Sequence, residues 1–204
     1  MNIFYLDETP KSCAEMHCDK HVVKMITEYA QLMSSAHRVI DGKLTDVILP
    51  NHKVKKIYLM PGESTQIDVD YEDGDVGFLN PRYKVRPANR SFYAATHINH
   101  PCSVWTRSSQ LNYYWLFETF SWLLKEYTHR YSRQHACQKL VNSLQNIPSI
   151  EKVEFTPPPA AMPPEYKVPG DEVQSYRNFY MGEKSRFAKW TKRPTPTWFK
   201  THDT

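Results

Sequence analysis

Residues 12–40 read SCAEMHCDKHVVKMITEYAQLMSSAHRVI, and this stretch predicts a long amphipathic helix. Its apolar side chains recur at steps of three and four residues, which places them on one helical face. Ser12 is suited to cap the helix, because the cluster from Asp7 to Pro10 breaks the chain just before it. A helix with one apolar face packs on a core. The apolar positions are Val22, Met25, Ile26, Tyr29, Leu32, Met33 and Ala36.

A polar stripe follows the same helix at steps of four, three, four, three and four residues, so its side chains point in one direction. Histidine titrates near neutrality, and a neighbouring carboxylate serves as general acid, base or electrostatic stabiliser. The stripe therefore predicts catalytic chemistry. The alternative is an ordinary solvated face with ion pairs between residues four apart. The stripe consists of His17, His21, Lys24, Glu28, Gln31 and Ser35.

The rest of the chain predicts more helices and one insertion within a single domain, residues 1–204. Residues 41–95 hold most of the glycines and predict loops or a β-hairpin around the strand-like runs KVKKIYLM and QIDVDY. Residues 156–170, here called the strap, are too rich in proline for a helix and predict an extended surface segment. The predicted fold is mainly α, a compact helical domain. Its further helices are expected at 103–131, 133–146 and 172–190.

Composition indicates a globular protein. Of the 204 residues, 40% are hydrophobic, which is enough for a sizeable core. No apolar run is long enough to span a bilayer, and MNIFYLDETPK lacks the pattern of a secretory signal. We expect a cytoplasmic protein, inside the host cell if the source is viral. Without a secretory signal, the four cysteines are expected to be free thiols.

The net charge of +4 lies entirely in the residues from Met181 onward. The region 181–200 also carries Phe187, Trp190, Trp198 and Phe199, and this combination suits phosphate contact with base stacking. The alternative is a solvated surface with aromatic anchors. The candidate DNA contacts are Arg177, just before this region, and Lys184, Lys189, Trp190 and Arg193 within it.

Residues 96–105, THINHPCSVW, give a second candidate site at the start of a helix. Helix N-termini attract phosphates through unpaired amides, so His100 and Arg107 are further candidate DNA contacts. The alternative for His100 is a structural cap. A zinc site is a third reading, but the sequence has neither a C-x-x-C knuckle nor an HExxH pair, and we predict no metal. Its ligands would come from Cys13, His17, Cys18, His21, His97, His100 and Cys102.

Several of these patches resemble one family in the same order along the chain. KHVVKMITEYAQL, residues 20–32, resembles the helix of pyrimidine-dimer DNA glycosylases of the phage T4 endonuclease V type, where the catalytic glutamate stands at the position of Glu28. NIFYL at residues 2–6, NHPCSVW at 99–105 and RPTPTWF at 193–199 are similar to that family's opening segment, His-Pro helix entry and aromatic ending. Residues 41–95 have no counterpart in it.

The resemblance implies a bifunctional enzyme that acts on damaged or modified double-stranded DNA without a cofactor. In that family the chain's own α-amino group attacks C1′ of a flipped-out nucleotide, forms a Schiff base and cleaves the strand by β-elimination. Carried over, Glu28 is the carboxylate, and the amine belongs to Met1, or to Asn2 if Met1 is removed. Lys24 is an alternative nucleophile if burial makes it less basic.

Two other functions stay open on the residues alone. One is a non-catalytic nucleic-acid-binding accessory protein, which would use the basic aromatic C-terminal region. The other is a metal-dependent nucleotide-modifying enzyme built on the His and Cys cluster.

Overall fold

The computed structural model describes residues 1–73 and 79–200, and its helices and strands alternate in blocks along the chain. Two helices come first, four strands follow, and the remaining helices close the fold. The helices are Pro10–Met16 (α1), Asp19–Ile40 (α2), Pro101–Thr106 (α3), Gln110–Tyr131 (α4), Val141–Leu144 (α5) and Glu172–Phe179 (α6). The strands are Lys43–Ile48 (β1), Val54–Leu59 (β2), Ser64–Asp73 (β3) and Leu79–Ala88 (β4).

The prediction of a mainly α fold is wrong, because the insertion carries four strands and makes the fold mixed α and β. β1 pairs with β2, and β3 pairs with β4, each as a two-stranded antiparallel sheet. The sequence prediction stopped at loops or a single hairpin because Pro81 and Pro87 argue against a strand. Both prolines lie in β4, where the two-stranded sheet makes every strand an edge strand, and edge strands tolerate proline.

The expected helix over 12–40 is two helices with a break at His17 and Cys18. α1 ends with His17 in an extended conformation, and Cys18 is the extended residue that precedes α2. The His17 side chain donates to the carbonyl of Cys13 in α1 at 2.7 Å, whereas the Cys18 side chain makes no capping bond to α2. Asp19 in the first turn of α2 is the one sequence signal of this restart, since acids favour helix N-termini.

The other predicted helices are shorter in the structure. The stretch 103–131 is divided between α3 and α4, with Arg107 ending α3 and Ser109 preceding α4. The stretch 133–146 is a 3-10 turn, Ala136–Leu140, followed by the single turn of α5. The stretch 172–190 is α6, then a π-helical turn, Tyr180–Lys184, and a 3-10 turn, Ser185–Phe187.

The N-terminal segment, residues 1–6, runs through the core beside α2 and α4. Ile3 and Leu6 are completely buried, and Phe4 and Tyr5 are nearly so. The backbone N–H of Phe4 donates to the hydroxyl of Tyr29 on α2 at 3.1 Å, and α2 packs directly on α4. The segment therefore fixes where the beginning of the chain lies relative to the polar stripe of α2.

Side chains on α3 and α4 bind the first residue of the strap, Thr156. The indole N–H of Trp105 donates to the carbonyl of Thr156 at 2.9 Å, and Asn112 accepts the backbone N–H of Thr156 at 2.9 Å. Further along, the hydroxyl of Tyr176 donates to the carbonyl of Pro159 at 2.8 Å. None of the described helices combines the length and the apolar character that crossing a bilayer requires.

Candidate functional site

A small cavity brings together the beginning of the chain and the middle of the polar stripe. Its volume is about 180 Å³, and Met1, His21, Lys24, Glu28 and Lys184 contribute its polar groups. Ligand pockets for whole small molecules span roughly 300 to 1,000 Å³, so this cavity suits a reacting group rather than a whole nucleotide. We call it the N-terminal cavity. Its remaining walls are Asn2, Phe4, Met25 and Phe179.

The charges of the α-amino group and of Glu28 both act on one neighbouring imidazole, that of His100. The pKa of His100 is lowered mainly by burial, and then by the positive charges of the chain's N-terminus and His97. The Glu28 carboxylate acts on the same imidazole in the opposite direction. Both charged groups therefore lie within electrostatic reach of the His100 ring.

Glu28 is held in the cavity by an ion pair with Lys24. The Lys24 ammonium lies 3.2 Å from a Glu28 carboxylate oxygen, one helical turn away. The Glu28 side chain is only 16% exposed, whereas that of Lys24 is 68% exposed. Lys24 is thus a solvated, paired ammonium, and the burial that would make it an effective nucleophile is missing.

His21 is buried and neutral, and its imidazole lines the cavity. Its Nδ1 lies 2.5 Å from the Tyr180 hydroxyl, and its ring stacks on Phe4 with centroids 4.3 Å apart. The pKa of His21 is lowered to about 3, mainly by burial. The positive charges of three neighbours add to this effect: His17, Lys184 and Lys24. The Tyr180 hydroxyl also accepts the backbone N–H of Cys18 at 3.2 Å and donates to the Cys18 sulfur at 3.7 Å, so Tyr180 links His21 to the start of α2.

His17 does not reach the N-terminal cavity, contrary to the predicted stripe. It ends α1 rather than lying on α2, and its side chain is completely buried. Its Nδ1 donates to the carbonyl of Cys13 at 2.7 Å, and its Nε2 lies 3.4 Å from the Tyr29 hydroxyl. Burial lowers the pKa of His17 to about 4, so it is a neutral core residue that orients Tyr29.

The second candidate site, residues 96–105 with Arg107, is used mainly for the structure of α3. His100 caps α3, its Nδ1 accepting the backbone N–H of Cys102 at 3.2 Å, which is the structural alternative considered for it. Arg107 is half-buried and donates to the hydroxyl of Ser103 at 3.2 Å. Burial lowers its pKa. Neither His100 nor Arg107 is among the described residues that line the N-terminal cavity, although the charges of the N-terminus and Glu28 both act on His100.

Some of the C-terminal cations are free of acidic partners and lie beside the cavity. Lys184 lines the N-terminal cavity and sits over the ring of Phe179 at 4.5 Å. A second pocket of about 350 Å³, here called the basic pocket, contains Lys189 together with Asp19, Lys20, Arg186 and Phe187. Phe187 connects the two, because its ring lies 5.7 Å from that of His21. Sequence reasoning missed Lys20 and Arg186, although both appear as unpaired charges in basic stretches.

Other predicted DNA contacts are occupied within the fold. Arg193 makes a two-pronged ion pair with the buried Glu126, at 2.9 Å between its Nη2 and Oε2, and also approaches Glu15 at 3.2 Å. Arg177 donates to the carbonyl of Leu6 at 2.9 Å and lies 3.6 Å from Asp7.

Trp190 is also used structurally. Its indole N–H donates to the carbonyl of Met16 at 2.9 Å, and its ring packs on Phe199 with centroids 4.7 Å apart. The aromatic side chain is therefore an anchor for the C-terminal region, as the alternative reading of that region proposed.

A more spacious cavity lies elsewhere and has the wrong charge for a polyanion. Its volume is about 580 Å³, and Tyr5 and Arg177 line it together with four acids: Asp7, Glu8, Asp171 and Glu172. Carboxylates repel DNA phosphates, so the smaller N-terminal cavity is the better candidate.

The zinc arrangement considered from the sequence does not form among the described residues. No three His, Cys, Asp or Glu side chains there converge in a way that would hold a metal ion. All four cysteines are buried free thiols. Cys13, for example, donates its thiol proton to the carbonyl of Phe4 at 3.1 Å.

Comparison with known proteins gives no match: no family model fits the chain, and no curated protein or solved structure matches it.

Proposed function

We propose that this protein is a DNA glycosylase with AP-lyase activity, using the α-amino group at the beginning of the chain as its nucleophile. One observation carries the proposal: Met1 and Glu28 line the same small cavity, with cations around it. Asn2 lines this cavity too, so removal of Met1 would leave the new amine beside the same wall.

The residues of the cavity suit each step of that chemistry. A neutral amine attacks C1′ of the deoxyribose, and the bond between C1′ and the base breaks with its electron pair leaving on the base. Glu28 stabilises the positive charge that develops on the sugar. The amine loses a proton, and the C1′–O4′ bond then breaks as O4′ takes up a proton, which opens the sugar ring and leaves C1′ joined to the nitrogen as a protonated Schiff base. The Schiff base makes the C2′ proton acidic; Glu28 removes that proton, a C1′–C2′ enamine forms transiently, and the bond from C3′ to its phosphate oxygen breaks with the electron pair leaving on the phosphate.

The geometry favours the α-amino group over Lys24. An α-amino group is intrinsically less basic than a lysine ammonium by more than two pKa units, so a larger fraction of it is neutral at pH 7. Lys24 is moreover 68% exposed and its nitrogen is engaged by the Glu28 carboxylate at 3.2 Å. In this proposal Lys24 positions the carboxylate and does not attack the sugar.

The test is covalent trapping on a duplex that contains an abasic site, with borohydride as reductant. We expect a stable protein–DNA adduct, and we expect peptide mapping to place it on the first residue of the purified chain. An adduct on Lys24 would reject the proposed nucleophile. Absence of any adduct, together with absence of strand cleavage, would reject the proposed function.

Glu28→Gln tests the carboxylate. General acid–base catalysis contributes typically about 10² to 10⁴-fold, so we expect strand cleavage to fall by at least about 100-fold while DNA binding is kept. Glu151→Gln, which removes an exposed acid elsewhere, is the matched control. Equal cleavage by the two variants would exclude Glu28 from the reaction.

One observation favours a second candidate, a non-catalytic nucleic-acid-binding protein. The basic pocket holds Lys20, Arg186 and Lys189, and it needs no chemistry in the N-terminal cavity to bind phosphate. Salt-dependent DNA binding that is indifferent to Glu28→Gln, with no adduct formed, would select this function.

A further inference from the structure

A groove between the two hairpins and the segment 94–98 has no role in the reaction described above. Its volume is about 330 Å³. The hairpins contribute Lys55, Lys56, Ile57, Tyr58, Val85 and Pro87, and the segment contributes Ala94, Ala95, Thr96, His97 and Ile98. It thus combines an apolar floor with basic side chains, and we call it the hairpin groove.

Two contacts tie the hairpin groove to the N-terminal cavity. The hydroxyl of Ser35 on α2 donates to the carbonyl of Thr96 at 3.2 Å and accepts the N–H of Thr96 at 3.1 Å. Ser35 follows Glu28 by seven residues on the same face of the helix, which is a separation of about 10 Å along the axis. The backbone carbonyl of His97 accepts the N–H of His100 at 2.9 Å. The Glu28 carboxylate in turn acts electrostatically on the imidazole of His100.

The lysines of the hairpin groove are not neutralised by close acids. Lys55 is exposed, and its ammonium donates to the backbone carbonyl of Tyr83 at 3.0 Å, a partner without charge. Lys56 lies 3.9 Å from Asp46, at the outer limit of an ion pair, and both side chains are more than 60% exposed. An exposed ion pair contributes little to stability, so Lys56 can exchange Asp46 for a phosphate at little energetic cost.

The basic residues on the neighbouring hairpin behave differently. Lys84 pairs with Asp70, and Arg86 pairs with Asp68 at 2.6 Å. Lys84 and Arg86 are therefore neutralised by carboxylates on their own hairpin, whereas Lys55 and Lys56 keep their positive charge available at the hairpin groove.

We propose that the hairpin groove binds the sugar–phosphate backbone of the DNA strand that flanks the nucleotide at the N-terminal cavity. Lys55 and Lys56 contact phosphates, while Tyr58 and the apolar floor contact sugars and bases. The inference rests on the proposed function for the identity of the polymer. It assigns a role to residues 41–95, the part of the chain without a counterpart in the glycosylases that the sequence resembles.

The test compares Lys55→Gln/Lys56→Gln with Lys139→Gln/Lys167→Gln, a control that removes the same charge from exposed positions away from the groove. Affinity for a duplex with a central abasic site is measured by fluorescence anisotropy across salt concentrations. Each phosphate contact contributes about 0.9 to the slope of log K against log salt, so loss of two contacts lowers it by nearly 2. We expect that decrease for the groove variant and none for the control. Equal slopes in the two variants would overturn the inference.

A second measurement locates the contact on the DNA. Duplexes are shortened step by step on one side of the abasic site and then on the other. We expect wild-type affinity to fall at least about fivefold when one particular flank is removed, since phosphates beyond it are lost. The groove variant should be insensitive to that flank and respond normally to the other. A groove variant that keeps the wild-type response to both flanks would contradict the inference.

Trapping distinguishes failure of this inference from failure of the proposed function. If the groove variant and the wild type form the same adduct and show the same flank dependence, the hairpin groove is not a DNA site although the lyase chemistry stands. If neither protein forms an adduct while the slope still depends on Lys55 and Lys56, the groove binds DNA and the proposed chemistry is wrong.

Discussion

At the scale of single residues, the two buried histidines make stability depend on pH. The pKa of His17 is about 4 and that of His21 about 3 in the folded chain, both below the ordinary value of 6.5. Between these values and 6.5 the unfolded chain binds more protons than the folded one, so the free energy of unfolding falls as the pH is lowered. From pH 7 to pH 5 we expect a loss of about 2 kcal/mol for each histidine.

Urea unfolding at the two pH values measures this loss, and His17→Gln isolates one share of it. The variant cannot take up a proton, so its stability should change by about 2 kcal/mol less than that of the wild type between pH 7 and pH 5. His129→Gln, at an exposed position, is the control and should keep the wild-type pH dependence. The change with pH is the readout, because the substitution also alters stability at neutral pH. An unchanged dependence in His17→Gln would show that folding does not lower the pKa of His17.

The same residues show how far spacing alone predicts a site. Steps of three and four residues correctly put Glu28, Lys24 and His21 on one wall, because α2 is continuous over that stretch. The same rule misplaced His17, since the helix breaks between His17 and Asp19 and the residue before α2, Cys18, is not a typical capping residue. Tyr180, which orients His21 from 159 residues away, has no local signal at all.

At the scale of elements, a buried ion pair attaches the hairpins to α2. Arg38 is completely buried, and its guanidinium pairs with both Glu63 oxygens at 2.7 and 3.0 Å. The same guanidinium donates to the carbonyls of Tyr58, Phe92 and Tyr93. Every N–H of Arg38 is therefore used, and the position of the hairpins beside α2 depends on it.

Arg38→Met should destabilise the protein by about 3 to 5 kcal/mol, because it leaves the buried Glu63 carboxylate unpaired. Arg38→Met combined with Glu63→Leu should cost less than the sum of the two single changes, with a coupling of about 0.5 to 3 kcal/mol. Urea unfolding of the four proteins gives that coupling. Strict additivity would mean that the pair does not act as a unit.

Contacts between residues far apart in the sequence explain which features of these elements the sequence did not predict. Arg38 falls within a helix that reads as amphipathic, and the partner that makes its burial tolerable is 25 residues away in the insertion. Alternation identified strand-like runs in β2 and β3, while the prolines of β4 hid its pairing with β3. Local pattern thus predicted the helical faces, whereas long-range pairing determined the mixed fold.

At the scale of the whole molecule, the cations divide into those that hold the fold together and those free to meet a polyanion. Glu126 is buried and accepts from both Arg130 and Arg193, and these hydrogen bonds lower its pKa although burial raises it. Arg130 also pairs with Asp19 at 2.9 Å, and Asp19 accepts the hydroxyl proton of Thr191 at 2.7 Å. This network fastens the C-terminal region to α2 and α4, and it places Lys189 in the basic pocket.

The two groups of cations should respond oppositely to substitution. Arg193→Ala removes a partner from a carboxylate that is 3% exposed, so we expect a loss of about 1 to 3 kcal/mol in unfolding free energy and an unchanged salt slope of DNA binding. Lys189→Ala removes an exposed cation without an acidic partner, so stability should change by less than about 0.5 kcal/mol. Its salt slope should fall by about 1, as expected for one phosphate contact. Urea unfolding and anisotropy titrations on the same two proteins measure both quantities. If Arg193→Ala lowers the slope as much as Lys189→Ala does, Arg193 exchanges its carboxylate partners for phosphate, and the division of cations proposed here is wrong.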